Sequence, residues 1–245
     1  IMIEFRGNAR LASGRFREAI DDYEFALRHV DTLVALTRSR SSNGQAFGGT
    51  DSIVRAAIIV DVRFAMAQAY ASLEQFDEAN ECIDAGLFAS RGIHPQGEAR
   101  LHYLRAMILL SRGDNGSALA AFDMALDAFT DLPEAHLNKA IALLNLAQQE
   151  RIKVVSFSAA DPRTGQSATI PLSVKRSGLD RDKAHRAIDE CNRAIDLNAR
   201  LGQAYLIRAY ARLLLTEGDA CADLRIAQRL GMEQASALME ANCPQ

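Results

Sequence analysis

The first regular feature of the chain is the segment GRFREAIDDYEFAL (residues 14–27), whose apolar and small residues recur every three or four positions. That spacing places them on one face of a helix. The pattern returns at 74–87, 113–126 and 182–195, and in shortened form at 219–230. A small residue holds the same place in every copy: Ala19, Ala79, Ala118, Ala187 and Ala220. The pattern predicts five helices that pack through one shared face.

A second helical pattern precedes the first three of these helices, with a small residue twelve positions before the aligned alanine. These residues are Gly7, Ala67 and Ala106. Gly14 and Gly113 fall between the two helices, where a tight turn favours a residue that tolerates a positive φ. The repeating unit is therefore predicted to be helix, tight turn, helix.

This unit resembles the tetratricopeptide repeat, a helix-turn-helix of about 34 residues. The residues that carry the resemblance are Gly7, Gly14, Phe16, Ala19, Tyr23 and Ala26 in the first copy; Ala67, Tyr70, Phe76 and Ala79 in the second; Ala106, Gly113, Ala118, Phe122 and Ala125 in the third; Ala140, Ala187 and Ala194 in the fourth; and Tyr205, Ala209 and Ala227 in the fifth. The family's tryptophan is absent, and its closing proline is missing from most copies. The resemblance implies an all-α, right-handed helical solenoid of about five repeats in one domain (residues 1–245), and the apolar stripe of residues 232–242 predicts a C-terminal capping helix.

Two insertions interrupt the repeats. The second helix of the first repeat is expected to continue through HVDTLVALT (residues 29–37), and a Gly/Ser-rich loop follows at residues 39–51. The larger insertion, residues 149–180, lies between the two helices of the fourth repeat. Its apolar residues alternate with hydroxyl residues around DPRTGQ, which predicts a β-hairpin with Pro171 in an edge strand.

The apolar face of the hairpin must pack against another surface, because an isolated two-stranded hairpin is only marginally stable in water. Phe157, Ile170 and Leu172 are the candidate residues of that face. They are expected either to pack on the solenoid or to wait for a partner, which includes a second copy of the chain. The sequence leaves both alternatives open.

The family resemblance also implies a binding groove, because the first helices of stacked repeats line the concave side of the solenoid. The candidate groove residues are Phe64, Gln68, Arg100, Tyr103, Met107, Asn138, Ile141, Leu206 and Tyr210, with Asp61, Leu137 and Gln203 beside them. Such a surface predicts a protein-protein interaction scaffold or adaptor that binds a protein or peptide segment. A carboxylate-gripping groove is not expected because no lysines line up on consecutive first helices. The alternative for several of these residues is that neighbouring helices cover them.

Composition excludes some other functions. The net charge of −3 gives the 245-residue chain no global positive field for nucleic acid. Only the insertion is locally basic, with seven basic residues against four acidic ones between residues 148 and 183, and Phe157 is its one aromatic residue. A regulatory or nucleic-acid-associated module that uses this insertion is therefore the alternative function.

Candidate chemistry is sparse, so no catalytic residue, metal, cofactor or small-molecule substrate is expected. His102 and His136 share one repeat position, 34 residues apart. A metal site would need a third ligand, and Glu98 or Glu134 is only nominally close, so the two histidines are expected to pack or to be partly exposed. The acidic runs Asp21–Asp22 and Asp189–Glu190 are expected to be solvated charges on outer helix faces.

Cysteines and membrane signals add little. Cys82, Cys191 and Cys221 are expected to pack as small apolar residues, and a Cys191–Cys221 disulfide is the alternative in an oxidising compartment. No membrane span is expected. We predict a soluble protein that is either cytoplasmic or periplasmic/exported. The sequence does not separate these compartments, because it begins within an apparent helix and its start looks processed or truncated.

Overall fold

The computed structural model describes residues 2–40, 51–149, 153–160, 167–175 and 178–243. Over these ranges the chain forms twelve α-helices and two β-strands. Their bounds are α1 Met2–Ala12, α2 Phe16–Arg28, α3 Val30–Arg40, α4 Asp51–Ser72, α5 Phe76–Ser90, α6 Pro95–Ser111, α7 Asn115–Ala128, α8 Pro133–Gln149, β1 Lys153–Ala160, β2 Ser167–Lys175, α9 Arg181–Leu197, α10 Gly202–Leu215, α11 Ala220–Arg229 and α12 Gln234–Asn242. Two compact units divide the chain, Ile1–Asp131 (unit 1) and Leu132–Gln245 (unit 2). The single-domain solenoid stays a prediction.

Unit 1 is built from the helix pairs α1–α2, α4–α5 and α6–α7, together with α3. The small residues that the sequence aligns lie between the paired helices and are fully buried: Ala19, Ala67, Ala79, Ala106 and Ala118. Gly7 shows why small residues are needed, because an added Cβ would lie 2.7 Å from Cε1 of Tyr23. These positions set how closely the helices of a pair approach.

The turns within the pairs use a left-handed residue, as the sequence predicts for the first and third copies. Gly14 has φ 75° and Gly113 has φ 78°. In the second pair Glu74 adopts φ 60° at the corresponding place, a conformation that costs a non-glycine residue some strain. The second pair therefore has the same turn geometry although it has no glycine at this position.

The prediction that the second helix of the first repeat continues through residues 29–37 is wrong. That helix ends at Arg28, and a separate helix, α3, starts at Val30 and reaches Arg40. His29 separates α2 from α3, and its φ is −116°. Its Nδ1 lies 2.9 Å from the carbonyl oxygen of Phe25, and its ring stacks on that of Phe25 with the ring centres 4.1 Å apart. The predicted 39–51 loop is helical at its first two residues and its last, and residues 41–50 lie outside the described residues.

Unit 2 contains the pairs α8–α9 and α10–α11 and the terminal helix α12. Pro133 is the first residue of α8, where its missing N–H is harmless. The backbone N–H of Asp180 donates to the carbonyl oxygen of Ala147 at 3.2 Å, and the Asp180 side chain caps α9 by accepting from the N–H of Lys183. The two ends of the large insertion are therefore joined at the helix pair that it interrupts.

Within the insertion, β1 and β2 pair antiparallel. Phe157 is the Cα partner of Ile170, and Ser156 that of Pro171. The register shifts between Val155 and Ser156, so that Leu172 falls at the irregularity. The side chains of both strands lie outside the described residues, so what covers the hairpin stays a prediction.

The disulfide of the structure is not the Cys191–Cys221 pair that the sequence left open as an alternative. Cys191 is free and fully buried in α9, whereas Cys221 forms a disulfide with Cys243 across a Cα–Cα distance of 5.9 Å. Cys221 lies in the first turn of α11 and Cys243 directly follows α12, so the bridge joins these two helices. Cys82 is free and buried, as the packing prediction requires.

Candidate partner-binding face

The first candidate site is a pocket of unit 1 with a volume of about 450 Å³. It lies between α1, α2, α4 and α6, and its lining consists of Asn8, Leu11, Tyr23, Asp61, Val62, Phe64, Ala65, Gln68 and Arg100. Residues 61, 64, 65 and 68 share one stripe of α4, because they follow the helical steps of three and four. Three of the candidate groove residues, Phe64, Gln68 and Arg100, thus come together at this pocket.

The charged groups of this first pocket compensate each other. A guanidinium nitrogen of Arg100 lies 2.6 Å from a carboxylate oxygen of Asp61, and the guanidinium carbon lies 4.5 Å from the ring centre of Phe64. Deeper in, the hydroxyl of Tyr23 donates to Oδ1 of Asn8 at 2.7 Å. The pocket therefore presents apolar walls and paired polar groups.

A second pocket of about 320 Å³ adjoins the first on unit 1. It is lined by Gln68, Ala71, Ser72, Phe76, Leu104, Met107, Ile108 and Ser111. Gln68 lines both pockets, and the guanidinium of Arg112 lies 5.1 Å from the ring centre of Phe76. The α4 residues of the two pockets are centred about six positions apart, which is ~9 Å along a helix. Together we call them the α4 pockets.

Tyr103, also predicted for the groove, lies on α6 with its ring 6.0 Å from that of Phe122 on α7. The side chain is half-buried. This contact lies within a helix pair, so Tyr103 contributes to the packing of α6 on α7.

In unit 2 the predicted groove residues are partly used for packing. Leu137 is buried with Ala194 and Ala204, and Ile141 packs against this cluster. Leu206 packs against the core that α10, α11 and α12 share. The hydroxyl of Tyr210 donates to Oε1 of Gln148 at 3.3 Å. The half-buried Asn138 donates through Nδ2 to the carbonyl oxygen of Glu134. Neighbouring helices therefore cover part of this set, which is the alternative that the sequence left open.

The two histidines at one repeat position have different surroundings. His102 is 9% exposed, its Nδ1 has no hydrogen-bond partner among the described residues, and burial lowers its pKa. His136 is also buried, but its Nδ1 lies 2.6 Å from Oε2 of Glu190. Over the part of the chain that the structure describes, no group of three or more His, Cys, Asp and Glu residues is arranged to hold a metal.

Buried ion pairs are the feature that the sequence analysis missed. Asp22 is 3% exposed, and its carboxylate contacts the guanidinium groups of Arg6 at 2.5 Å and Arg10 at 2.6 Å. Asp223 is 2% exposed and contacts Arg208 at 2.6 Å and Arg212 at 2.7 Å. The same arrangement therefore joins α1 to α2 and α10 to α11.

The third buried acid is Glu190, which is 5% exposed and joins α9 to α8. It accepts from His136 and lies 2.9 Å from Nζ of Lys139. Burial alone would raise the pKa of Glu190, but the hydrogen bond from His136 and the contacts with Lys139 outweigh it and lower this pKa to about 2. Lys139 is itself buried, so both charges are held largely out of water.

The expectation of solvated charge is therefore wrong for Asp22 and Glu190. Each acid lies three residues after an aligned alanine, and the basic partner lies just before the small residue of the preceding helix. The three pairs related in this way are Arg6 with Asp22, Lys139 with Glu190, and Arg208 with Asp223. Comparison of aligned positions across the repeats could have found them, because acid and base recur together there.

Comparisons with known proteins agree with this architecture. A family model described as tetratricopeptide repeat matches residues 64–133 and 103–149. A crystal structure of MamA is 12% identical, with a TM-score of 0.55 over 94% of this chain and 96% of that one. A structure described as the MamA RS-1 ArsTM double mutant is 13% identical, with a TM-score of 0.57 over 96% of each chain. Identities this low show the fold alone. A search of curated proteins finds no match.

Proposed function

Because the chain is a tetratricopeptide-repeat protein, we propose that it is a non-catalytic scaffold that binds a segment of a partner protein in the α4 pockets. The observation that carries this proposal is the pair of adjoining pockets in unit 1, with Gln68 lining both. Four candidate groove residues, Phe64, Gln68, Arg100 and Met107, line one or both of them. Two adjoining pockets, each with apolar and polar residues in its lining and with the Gln68 amide common to both, suit a segment that inserts two apolar side chains and places a backbone amide between them.

The charge of the pockets favours an uncharged segment. Arg100 and Asp61 neutralise each other, and the second pocket has no ionisable residue in its lining. A strongly charged ligand residue would have to compete with the existing ion pair for its partner or lose water without compensation. We therefore expect the partner's contact residues to be apolar and neutral, with any charges outside the pockets.

The binding role of unit 2 and of the hairpin is a further part of this proposal. Tyr210 and Leu206 are partly buried on α10 and would form a smaller contact surface. The side chains of Phe157, Ile170 and Leu172 lie outside the described residues, and so do those of five of the seven basic residues of the insertion. The other two, Arg181 and Lys183, form ion pairs with Glu217 and Asp180. Docking through the hairpin and the nucleic-acid alternative therefore both stay predictions. None of the described helices combines the length and apolar character needed to cross a membrane.

Substitution of Gln68 tests the proposal most sharply. Gln68→Arg places a long charged side chain between the α4 pockets, so we expect partner affinity to fall about 30-fold, which corresponds to ~2 kcal/mol at an interface anchor. The partner is captured on immobilised protein from lysate with and without nuclease treatment and identified by mass spectrometry. Its affinity for each purified variant is then measured by biolayer interferometry.

The matched control is Ala120→Arg, which adds the same charge at an exposed position of α7. This variant should bind the partner as the wild type does, and both variants should keep their helical circular dichroism. Equal binding by Gln68→Arg and wild type, or a loss confined to Ala120→Arg, would show that the partner uses another face. Capture that disappears after nuclease treatment would favour the nucleic-acid alternative.

A further inference from the structure

Helix α12 is short, and few contacts hold it on the rest of unit 2. It covers only nine residues, Gln234–Asn242, and a helix of that length is marginal on its own in water. Ala235 is fully buried, and Leu238 and Met239 pack against the core formed with α10 and α11. The side-chain amide of Gln228 donates to the hydroxyl of Ser236 at 2.9 Å. The covalent attachment is the Cys221–Cys243 disulfide, which closes a segment of 22 residues.

The four cysteines of the chain differ in their access to a reductant or an oxidant. Cys82 and Cys191 are buried and free, and burial raises the pKa of Cys191 to about 12, which disfavours its reactive thiolate. Cys221 and Cys243 are both partly exposed. A redox partner would therefore act on the disulfide and leave the two buried thiols unchanged.

We propose that the Cys221–Cys243 disulfide is a redox latch that holds α12 on the last helix pair and releases it on reduction. A dithiol reductant attacks one sulfur as its thiolate, and the other cysteine sulfur leaves as a thiolate and takes up a proton. The second thiol of the reductant then closes its own disulfide and releases the remaining cysteine as a thiol. Two electrons and two protons pass from the dithiol to the protein, and the reductant leaves oxidised.

Release of α12 changes what the end of unit 2 presents to solvent. The core beneath it contains Leu224 and Ala227, both fully buried, and Tyr205, which is 8% exposed. Part of this apolar surface would become accessible once Ala235, Leu238 and Met239 move away. A repeat with an open apolar face needs another cover, so the oxidised state is the covered form and the reduced state is the open one.

Hydrogen–deuterium exchange on the 245-residue protein tests the latch directly. The amides of α12 should exchange about 100-fold faster in dithiothreitol than in the oxidised protein, because a disulfide across a loop of this length typically changes an opening equilibrium by that order. The amides of α8 and α9 should keep their protection. Binding of the dye ANS should increase in parallel as the apolar surface opens.

A double variant, Cys221→Ser with Cys243→Ser, separates the disulfide from other effects of the reductant. Its α12 amides should exchange at the fast rate with and without dithiothreitol, and helix α5 in unit 1 should be unaffected throughout. Unchanged protection of α12 on reduction overturns the proposal, because packing alone would then hold the helix. Loss of protection across all of unit 2 also overturns it, because the disulfide would then support the unit rather than its cap. Both of these outcomes are measured on the wild-type protein, so the test does not depend on whether the double variant folds.

Discussion

Helix pairs α4–α5 and α8–α9 join their helices at equivalent repeat positions with opposite chemistry. In α4–α5 the two positions hold Met66 and Cys82, which are 3% and 4% exposed. In α8–α9 they hold Lys139 and Glu190, whose charged groups lie 2.9 Å apart. The small residues that set the close approach of the helices are the same type in both pairs. One backbone plan therefore accepts either an apolar contact or a buried ion pair at this place.

The difference bears on how freely each pair can adjust. A buried ion pair is favourable only while its geometry compensates the lost hydration of both charges, so it disfavours displaced arrangements of its helices. Met and Cys carry no charge to compensate, and Met fills irregular space readily. The α4 pockets lie along one face of the first helix of the apolar pair. We therefore expect the α4–α5 pair to adapt to a ligand, and the pairs with buried ions to keep one arrangement.

Removal of one buried acid should produce the largest effect. Asp223→Ala leaves the charges of Arg208 and Arg212 without their partner, and these side chains are only 15% and 25% exposed. We expect the free energy of unfolding to fall by about 3 kcal/mol or more. Urea denaturation followed by circular dichroism measures this loss.

Two control variants show whether this loss of stability is specific to a buried ion pair. Asp189→Ala removes an exposed carboxylate of α9 and should change stability by less than about 0.5 kcal/mol. Met66→Leu changes the apolar pair at nearly constant volume and should cost less than about 1.5 kcal/mol. If Asp223→Ala costs no more than Met66→Leu, the ion pairs do not distinguish the two kinds of helix pair.

Acid should weaken α8–α9 through Glu190. The pKa of this carboxyl is lowered from 4.5 to about 2, so its contribution to stability is complete above about pH 4.5 and disappears as the pH falls through 2. The contribution at neutral pH is on the order of 3 kcal/mol. We expect Glu190→Gln to be less stable than wild type by about this amount at pH 7 and equally stable near pH 2. A stability difference that stays constant between pH 7 and pH 2 would show that ionised Glu190 does not support the pair.

Local sequence features were sufficient for the helix pairs and their close contacts. Steps of three and four placed Phe64 and Gln68 on one face of α4, and the pockets lie on that face. The repeating small residues identified the contacts between paired helices, because only small side chains allow that approach. His29 was not recognised as a break, because its contacts with Phe25 compete with helix geometry and leave no pattern in the sequence.

Pairings between distant residues could not be read from local periodicity. Asp21 and Asp22 are neighbours, yet only Asp22 is buried, since one residue turns the side chain by about 100° around the helix. Whether that buried acid has a partner depends on the other helix, at Arg6 and Arg10. Likewise, Cys221 reaches Cys243 only because α12 folds back on α11.

Deletion of the insertion between α8 and α9 should have the smallest effect on stability. Whether the deletion raises or lowers the stability shows whether the hairpin packs on the helices. Replacement of residues 151–177 by a short Gly/Ser segment should leave the pair folded, because Asp180 already bonds to Ala147 and Lys139 pairs with Glu190. A loop shortened about fourfold costs less entropy to close, so we expect a gain in stability of about 1 kcal/mol. Thermal and urea denaturation of the deletion variant and wild type measure this difference. A loss of stability would mean that the hairpin packs on the helices, and Phe157→Ser with Ile170→Ser should then reproduce that loss in the intact chain. If the double substitution leaves stability unchanged but weakens partner binding, the hairpin is a docking element and the buried ion pair suffices to hold α8 on α9.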